Sequence, residues 1–312
     1  MFSPTSVPWP NGKRFAFTIF DDPDSQSTET ALAVYSLLRD LGLRTTKGVW
    51  PVAPVRKPSD HGATCSEPDY LRFCLELQRC GFEIGLHNVT SHTSTRPETQ
   101  VGLNEFAKMF DTDPTTLAQH YFCDEAVYWG DQRLTGPMRL AYNLFTRFQN
   151  NGRFRGHREA DPLFWGDLCR ERIRYVRNFV FSEVNTLRAC PFFPYHDPAR
   201  PFVNYWYCSS EAAVVSSFLK MLSEKNQDQL EDDGGLCILY VHFGHGFVEG
   251  RHLNNHFQEL LKRLARKNGW FVPVSTILDF LRQRNGSHVI TNAERSALER
   301  KWLLQKVRFG TS

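Results

Sequence analysis

The chain has 312 residues, 41% hydrophobic and 23% charged, which is enough apolar material for one large core and too little compositional bias for a disordered chain. Its 37 basic and 34 acidic residues are interspersed and leave a net charge of +3, so there is no basic stripe to neutralise a nucleic-acid backbone and no nucleic-acid partner is expected. No run of about eighteen apolar residues occurs, which argues against a membrane span, and Met1 to Pro10 lacks an apolar signal region, so a cytoplasmic location is expected. The eight cysteines are scattered without a C-x-x-C pair, consistent with reduced thiols packing as small hydrophobes.

In chain order, Arg14 to Phe20 reads as a strand running into two adjacent carboxylates, Asp21 and Asp22. A helix follows from Ser27 to Leu41, with Val34, Leu37, Leu38 and Leu41 on one face and Gly42 as its left-handed stop. Arg44 to Val52 is a second strand, Asp69 to Cys80 a helix, and Phe82 to His87 a third strand. This β-α-β-α-β order has crossovers long enough for parallel pairing, which puts the strand C-termini on one side.

A helix is expected over Thr99 to Met109, and strands over Phe154 to His157 and Val176 to Val184. Two echoes, Tyr128-Trp129-Gly130-Asp131 and Phe164-Trp165-Gly166-Asp167, are too isolated to define a repeat. Cys190 to Tyr207 reads as a Pro- and aromatic-rich loop over a site. Glu211 to Lys225 reads as a helix, Asn226 to Gly235 as a polar loop, and Leu236 to His242 as an apolar strand ending in histidine. A helix over Arg251 to Lys267, a strand over Trp270 to Val274 and a helix over Thr276 to Arg284 continue the alternation. Thr291 and Glu294 form a capping box that opens a last helix through Gln305.

Two neighbouring acids at a strand end repel each other unless their roles differ, for instance one holding a metal while the other stays free as a base. Imidazoles to complete such a site occur at His87 and His92 after the third strand and at His242 at the end of a late one. Ile19-Phe20-Asp21-Asp22, Glu83-Ile84-Gly85-Leu86-His87 and Leu239-Tyr240-Val241-His242 together resemble the motifs of the polysaccharide deacetylase family, also called the NodB homology domain or carbohydrate esterase family four. The segment Trp270 to Ser275 is similar to that family's C-terminal strand.

The resemblance implies a distorted (β/α) barrel over residues 1–286 with an appended C-terminal helix over 287–312. It implies Asp21 as catalytic base, His242 as general acid and one divalent ion, zinc as first choice, on Asp22, His87 and His92. Arg155, in Phe154-Arg155-Gly156-His157, stands where the family has an arginine that orients the base, although the prolines and tyrosine of that motif are missing. His87 and His92 are five apart where the family has four. That spacing turns side chains about 140° apart on a helix and puts them on opposite faces of a strand, so only a loop converges them. His157 or His245 is the alternative third ligand.

Trp129, Trp165 and Tyr195 are the candidate sugar-stacking residues. The expected activity is removal of an acetyl or similar acyl group from an N-acetylated sugar or glycan precursor, a small-molecule or oligosaccharide substrate. Hydrolysis of a non-sugar amide and a silent carbohydrate-binding role remain as alternatives. The oligomeric state is not legible.

Overall fold

The computed structural model describes residues 7–250 and 252–312. Its strands are β1 (Phe15–Asp21), β2 (Thr46–Val49), β3 (Glu83–Leu86), β4 (Thr116–Leu117), β5 (Tyr175–Phe181), β6 (Tyr195–His196), β7 (Tyr205–Glu211), β8 (Leu236–Val241), β9 (Val248–Glu249), β10 (His252–Leu253), β11 (Gly269–Phe271) and β12 (His288–Val289). Seven of them, β1-β2-β3-β4-β5-β7-β8, pair in parallel around a ring that closes from β8 back onto β1. β11 lies beside the first half of β1, where Phe15 registers with Gly269, and β2 takes over at Phe20 and Asp21. β6 runs antiparallel to β7 with β12 at its side, and β9 and β10 form a separate pair.

The helices between strands cover the outside. Ser27 caps α1 (Thr28–Asp40) by accepting from the Thr30 amide, and Thr95 with Glu98 caps α3 (Arg96–Phe110). α2 (Pro68–Arg79) buries Tyr70, Phe73, Cys74 and Leu77. Among the described residues no helix is long and apolar enough to cross a membrane.

Side-chain alternation along each strand fills the barrel in layers. At its base the half-buried Glu83 accepts through its carboxyl from Thr46 Oγ1 at 2.6 Å, Thr116 Oγ1 at 3.0 Å and the Ser275 amide at 3.0 Å, tying β2, β3, β4 and the helix Val274–Asn285 together. Above it the Phe20 ring fills the interior against Gly48 and Gly85, which pair across β2 and β3. The next layer holds the polar groups at the strand C-termini.

Several sequence expectations are corrected. Phe154 to His157 forms turns and not a strand, because Gly156 lies directly against the Glu125 carbonyl and Phe154 packs in a small cluster with Ala126 and Trp129. The aromatic stretch read as loop includes β6 and the start of β7, whose Trp206 and Tyr207 are core residues. The polar loop after Lys225 is mostly the helix Glu224–Asp232, anchored by buried Gln227 and Leu230. The helix read from Arg251 begins at Asn255, capped by Asn254; Arg251 itself lies outside the described residues.

The last helix, Asn292–Phe309, opens on the Thr291/Glu294 capping box and sets Trp302 against Phe179 of β5 and against Tyr142 of α4 (Gly136–Phe145).

A Cβ at Gly85 would meet Thr116 Oγ1 at 2.7 Å and the Phe20 ring at 2.9 Å. Gly85→Ala is therefore expected to lower the unfolding free energy by about 1–3 kcal/mol through overpacking, measured by urea denaturation. An unchanged midpoint would mean that Phe20 does not fill this layer.

Candidate metal and active site

Asp21 ends β1 and Asp22 follows it, so alternation sends their side chains to opposite faces. Asp21 points outward into the layer between barrel and helices. Its Oδ1 accepts from the Phe243 amide at 3.0 Å; its Oδ2 accepts from Gln26 and Tyr35, each at 3.2 Å, and pairs with Lys47 Nζ at 3.0 Å. Lys47 is its register partner on β2, and both side chains are fully buried. Burial pushes the Asp21 carboxyl up and the Lys47 ammonium opposes this. Asp21 thus has both oxygens engaged and is not among the residues lining the cavity, which replaces its expected place as a free base.

Asp22 points inward. Arg177 of β5, which is not adjacent to β1, reaches across the interior and grips it with two bonds, Nη1 to Oδ1 at 3.0 Å and Nη2 to Oδ2 at 2.5 Å. Burial would weaken the guanidinium's hold on its proton, and the charge of Asp22 reverses that. Beside this pair three ligand-type side chains converge. His87 Nε2 and His120 Nδ1 are 3.1 Å apart, Asp24 Oδ2 is 3.2 Å from the first and Asp24 Oδ1 is 3.0 Å from the second. His242 Nε2 sits 3.6 Å from Asp24 Oδ2, 3.8 Å from Asp22 Oδ2 and 3.1 Å from the Tyr240 hydroxyl.

A tetrahedral ion with bonds of about 2.0–2.1 Å sets its ligand atoms roughly 3.3–3.4 Å apart; one ligand atom from each of Asp24, His87 and His120 lies within 4.8 Å of the others, so small side-chain shifts would seat one divalent cation. Two further observations fit such an ion. Asp24 Oδ2 is buried without a hydrogen-bond partner. His120 Nε2 lies 3.2 Å from Ser59 Oγ, which itself donates to the Ser91 carbonyl, so His120 is the donor there and its Nδ1 lone pair is turned toward Asp24. Burial alone would raise the Asp24 carboxyl, yet the two imidazoles hold it well below the usual carboxylate range. Burial pulls His242 down against the opposing pull of Asp24 and Asp22.

The two histidines are braced by Asn88, whose left-handed backbone (φ 53°) turns the chain after β3. Its Oδ1 accepts from the His120 amide at 2.8 Å and its Nδ2 donates to Glu125 Oε1 at 2.7 Å. Glu125 also accepts from the Ser94 amide at 3.2 Å.

Of the residues expected from sequence, the structure brings Asp22, His87 and His242 together. His92 is engaged elsewhere: Nε2 accepts from the Val55 amide at 3.2 Å, and Nδ1 lies beside the Thr93 carbonyl and Arg56. The odd spacing carries it off the His87 side of the loop, and His120 occupies the position it was expected to fill. Arg155 pairs with Asp161 at 3.4 Å and does not approach Asp21; the arginine that reaches this strand end is Arg177, and it meets Asp22. Trp165 is core, donating to the Glu125 carbonyl at 2.6 Å, and Tyr195 is buried with its hydroxyl bonded to Asn178. Trp129 does line the cavity, with His245 nearby, whereas His157 stacks on Tyr128 outside it.

Sequence reading passed over Asp24, His120, Arg177 and Lys47. Asp24 had a signal, since it repeats the face of Asp22 at a spacing of two, and Arg177 and Lys47 had another, a single cation inside an apolar strand. His120 follows a strand of only two residues, too short to read.

No protein-family model matches the chain, and no curated protein matches it in sequence. Among solved structures, it is similar to a protein assigned as a polysaccharide deacetylase from Mycobacterium smegmatis, with 15% identity, a TM-score of 0.52, and coverage of 94% of this chain and 99% of that one. It is also similar to one so assigned from Pseudomonas aeruginosa PAO1, with 11% identity, a TM-score of 0.50, and coverage of 89% and 94%. The chain thus has the barrel fold of these polysaccharide deacetylase structures.

Lys47→Met leaves Asp21 buried without its counter-charge and is expected to cost about 3–5 kcal/mol of stability in urea at pH 7, much of it restored by adding Asp21→Asn. A loss under about 1 kcal/mol would show that the pair is not needed. Burial raises Glu125 from 4.5 to about 7 despite its bond from Asn88, so between those values the folded chain binds more protons than the unfolded one. Its contribution to stability is therefore complete below pH 4.5 and is lost as pH rises through about 7. Unfolding midpoints measured across that range should fall with pH in the parent and lose this component in Glu125→Gln.

Proposed function

We propose that this chain is a metal-dependent hydrolase that removes an acetyl or similar acyl group from the nitrogen of a sugar or glycan precursor. The observation that carries the reading is the convergence of Asp24, His87 and His120 beside an arginine-held Asp22 and a half-buried His242, at the strand C-termini of a barrel shared with polysaccharide deacetylase structures. Asp24, His87 and His120 would hold the ion, with zinc the first choice for two imidazoles and a carboxylate. When bound, it supplies Lewis acidity toward an amide carbonyl and lowers the pKa of water.

The chain's own residues account for the proton. Asp22 is fixed by the Arg177 fork with its carboxylate facing the cluster, and takes the proton from the attacking water. His242, 3.8 Å from Asp22, receives that proton and delivers it to the departing nitrogen, which is otherwise a poor leaving group. The flanking Asp22 and Asp24 stabilise the transient imidazolium, so the ring need not carry the proton at rest. Water adds across the C–N bond, giving a carboxylic acid and an amine, between which the remaining proton passes to leave a carboxylate and an ammonium. Relative to the roles implied by resemblance, base and ligand move forward along the chain, from Asp21 and Asp22 to Asp22 and Asp24, because only the inward-facing acids see the cavity.

Elemental analysis of protein purified without chelators should find about one divalent ion per chain, lost in Asp24→Ala and His120→Ala and retained in His92→Ala. Acetate release from N-acetylglucosamine oligomers should fall by about 10²–10⁴-fold in Asp22→Asn. Metal kept in His120→Ala but lost in His92→Ala would overturn the ligand assignment, and undiminished turnover in Asp22→Asn would overturn its role as base.

A further inference from the structure

The cavity above the Asp/His cluster holds about 570 Å³, room for a sugar-sized ligand, and extends from Asp22, Asp24 and His242 to Arg133 and Lys306. Its far end, which Gly310 and Ser312 also line, holds two basic side chains that make no ion pair among the described residues. Four basic side chains of the described chain are buried: Lys47, Arg133, Arg177 and Arg200. Lys47 is paired with Asp21, Arg177 with Asp22, and Arg200 with Asp197 and Glu299. Arg133, only 3% exposed, has no carboxylate partner among the described residues.

Its guanidinium lies 4.1 Å from the Trp129 ring centre and 4.4 Å from that of Trp302, Nη1 makes one long bond of 3.4 Å to the Asn178 carbonyl, and the Tyr142 hydroxyl, a neutral group, is its other hydrogen-bond partner. Nε has no partner at all. Burial pulls Arg133 down to about 10, so it remains a cation near neutrality. Lys306 reaches the same end from the C-terminal helix, its Nζ donating to the Thr311 carbonyl at 2.8 Å, again with no ion pair among the described residues. Burial, with the charge of Arg133 adding to it, lowers Lys306 to about 8. Glu211 acts on it from a distance, its oxygens taken by the amides of Ala213 and Ser312.

A buried guanidinium without a counter-charge is unfavourable, and its planar fork matches a carboxylate or a phosphate. We propose that Arg133 and Lys306 form a subsite for an anionic group, a carboxylate or phosphate carried by the ligand whose other end meets the Asp/His cluster. Resting on the hydrolase reading above, this makes the substrate an acylated sugar bearing a negative charge, with the two tryptophans that hold Arg133 setting the direction of its fork.

The test is calorimetric titration of the full chain, stripped of metal by a chelator, with glucose 6-phosphate, glucuronate and glucose. At least one of the two anionic sugars should bind ten-fold or more tightly than glucose, the tighter of them identifying the anion. The preference should disappear in Arg133→Gln and in Lys306→Gln. Because Arg133 is buried, circular dichroism accompanies each variant, and the half-buried Lys306→Gln decides if Arg133→Gln does not fold. Equal binding of all three sugars, or a preference retained in both folded variants, would overturn the subsite. Since no turnover is measured, loss of the hydrolase reading would leave a positive result standing, and a flat titration beside intact acetate release would remove the subsite alone.

Discussion

Two carboxylates in sequence at the end of one strand cannot both be buried and ionised unless each is given its own cation, and the fold meets this condition by alternation. Asp21 turns out to Lys47 on the next strand and Asp22 turns in to Arg177 across the barrel, both at hydrogen-bonding distance. Removal from water makes each such charge costly alone and strongly held once paired. The outer pair joins β1 and β2 beneath α1. The inner pair joins β1 to β5 and leaves the faces of Asp22 toward His87 and His242 open to chemistry.

The rest of the site is built onto that inner pair. Phe20, the inward neighbour of Asp22 on β1, fills the space that Gly48 and Gly85 leave, which sets the depth at which the polar layer begins. Asn88 and Glu125 then fix the turn after β3 relative to the chain after β4, so that two imidazoles from different strands present their nitrogens 3.1 Å apart. β5 contributes twice, through Arg177 to the acid and through the Asn178 carbonyl to Arg133, and the C-terminal helix closes that side of the cavity with Trp302 and Lys306. A helix that reads as an appendage in sequence thereby shapes the far wall of the cavity.

Strands bounded by helices with strong one-face patterns were readable because burial on both faces demands continuous apolar runs; β1, β3 and β8 fall within one residue of expectation and β5 within three. The aromatic middle was not readable. There, Trp206 and Tyr207 occupy a barrel strand and Phe154 a turn, and local composition does not separate the two because aromatic side chains suit both.

By itself the sequence determined the alternation of strand and helix and the placing of polar chemistry at strand ends, since these follow from periodicity and from where apolar runs stop; the family resemblance it carries pointed to Asp22, His87 and His242, but to Asp21, His92 and Arg155 equally. Only the tertiary structure decided that Asp24 and His120 complete the cluster in place of His92, and that Arg177 meets Asp22 while Arg155 stays away from both acids. These choices depend on which face each residue takes and on which strands become neighbours when the ring closes. Spacing along the chain carries the first of those facts weakly and the second not at all.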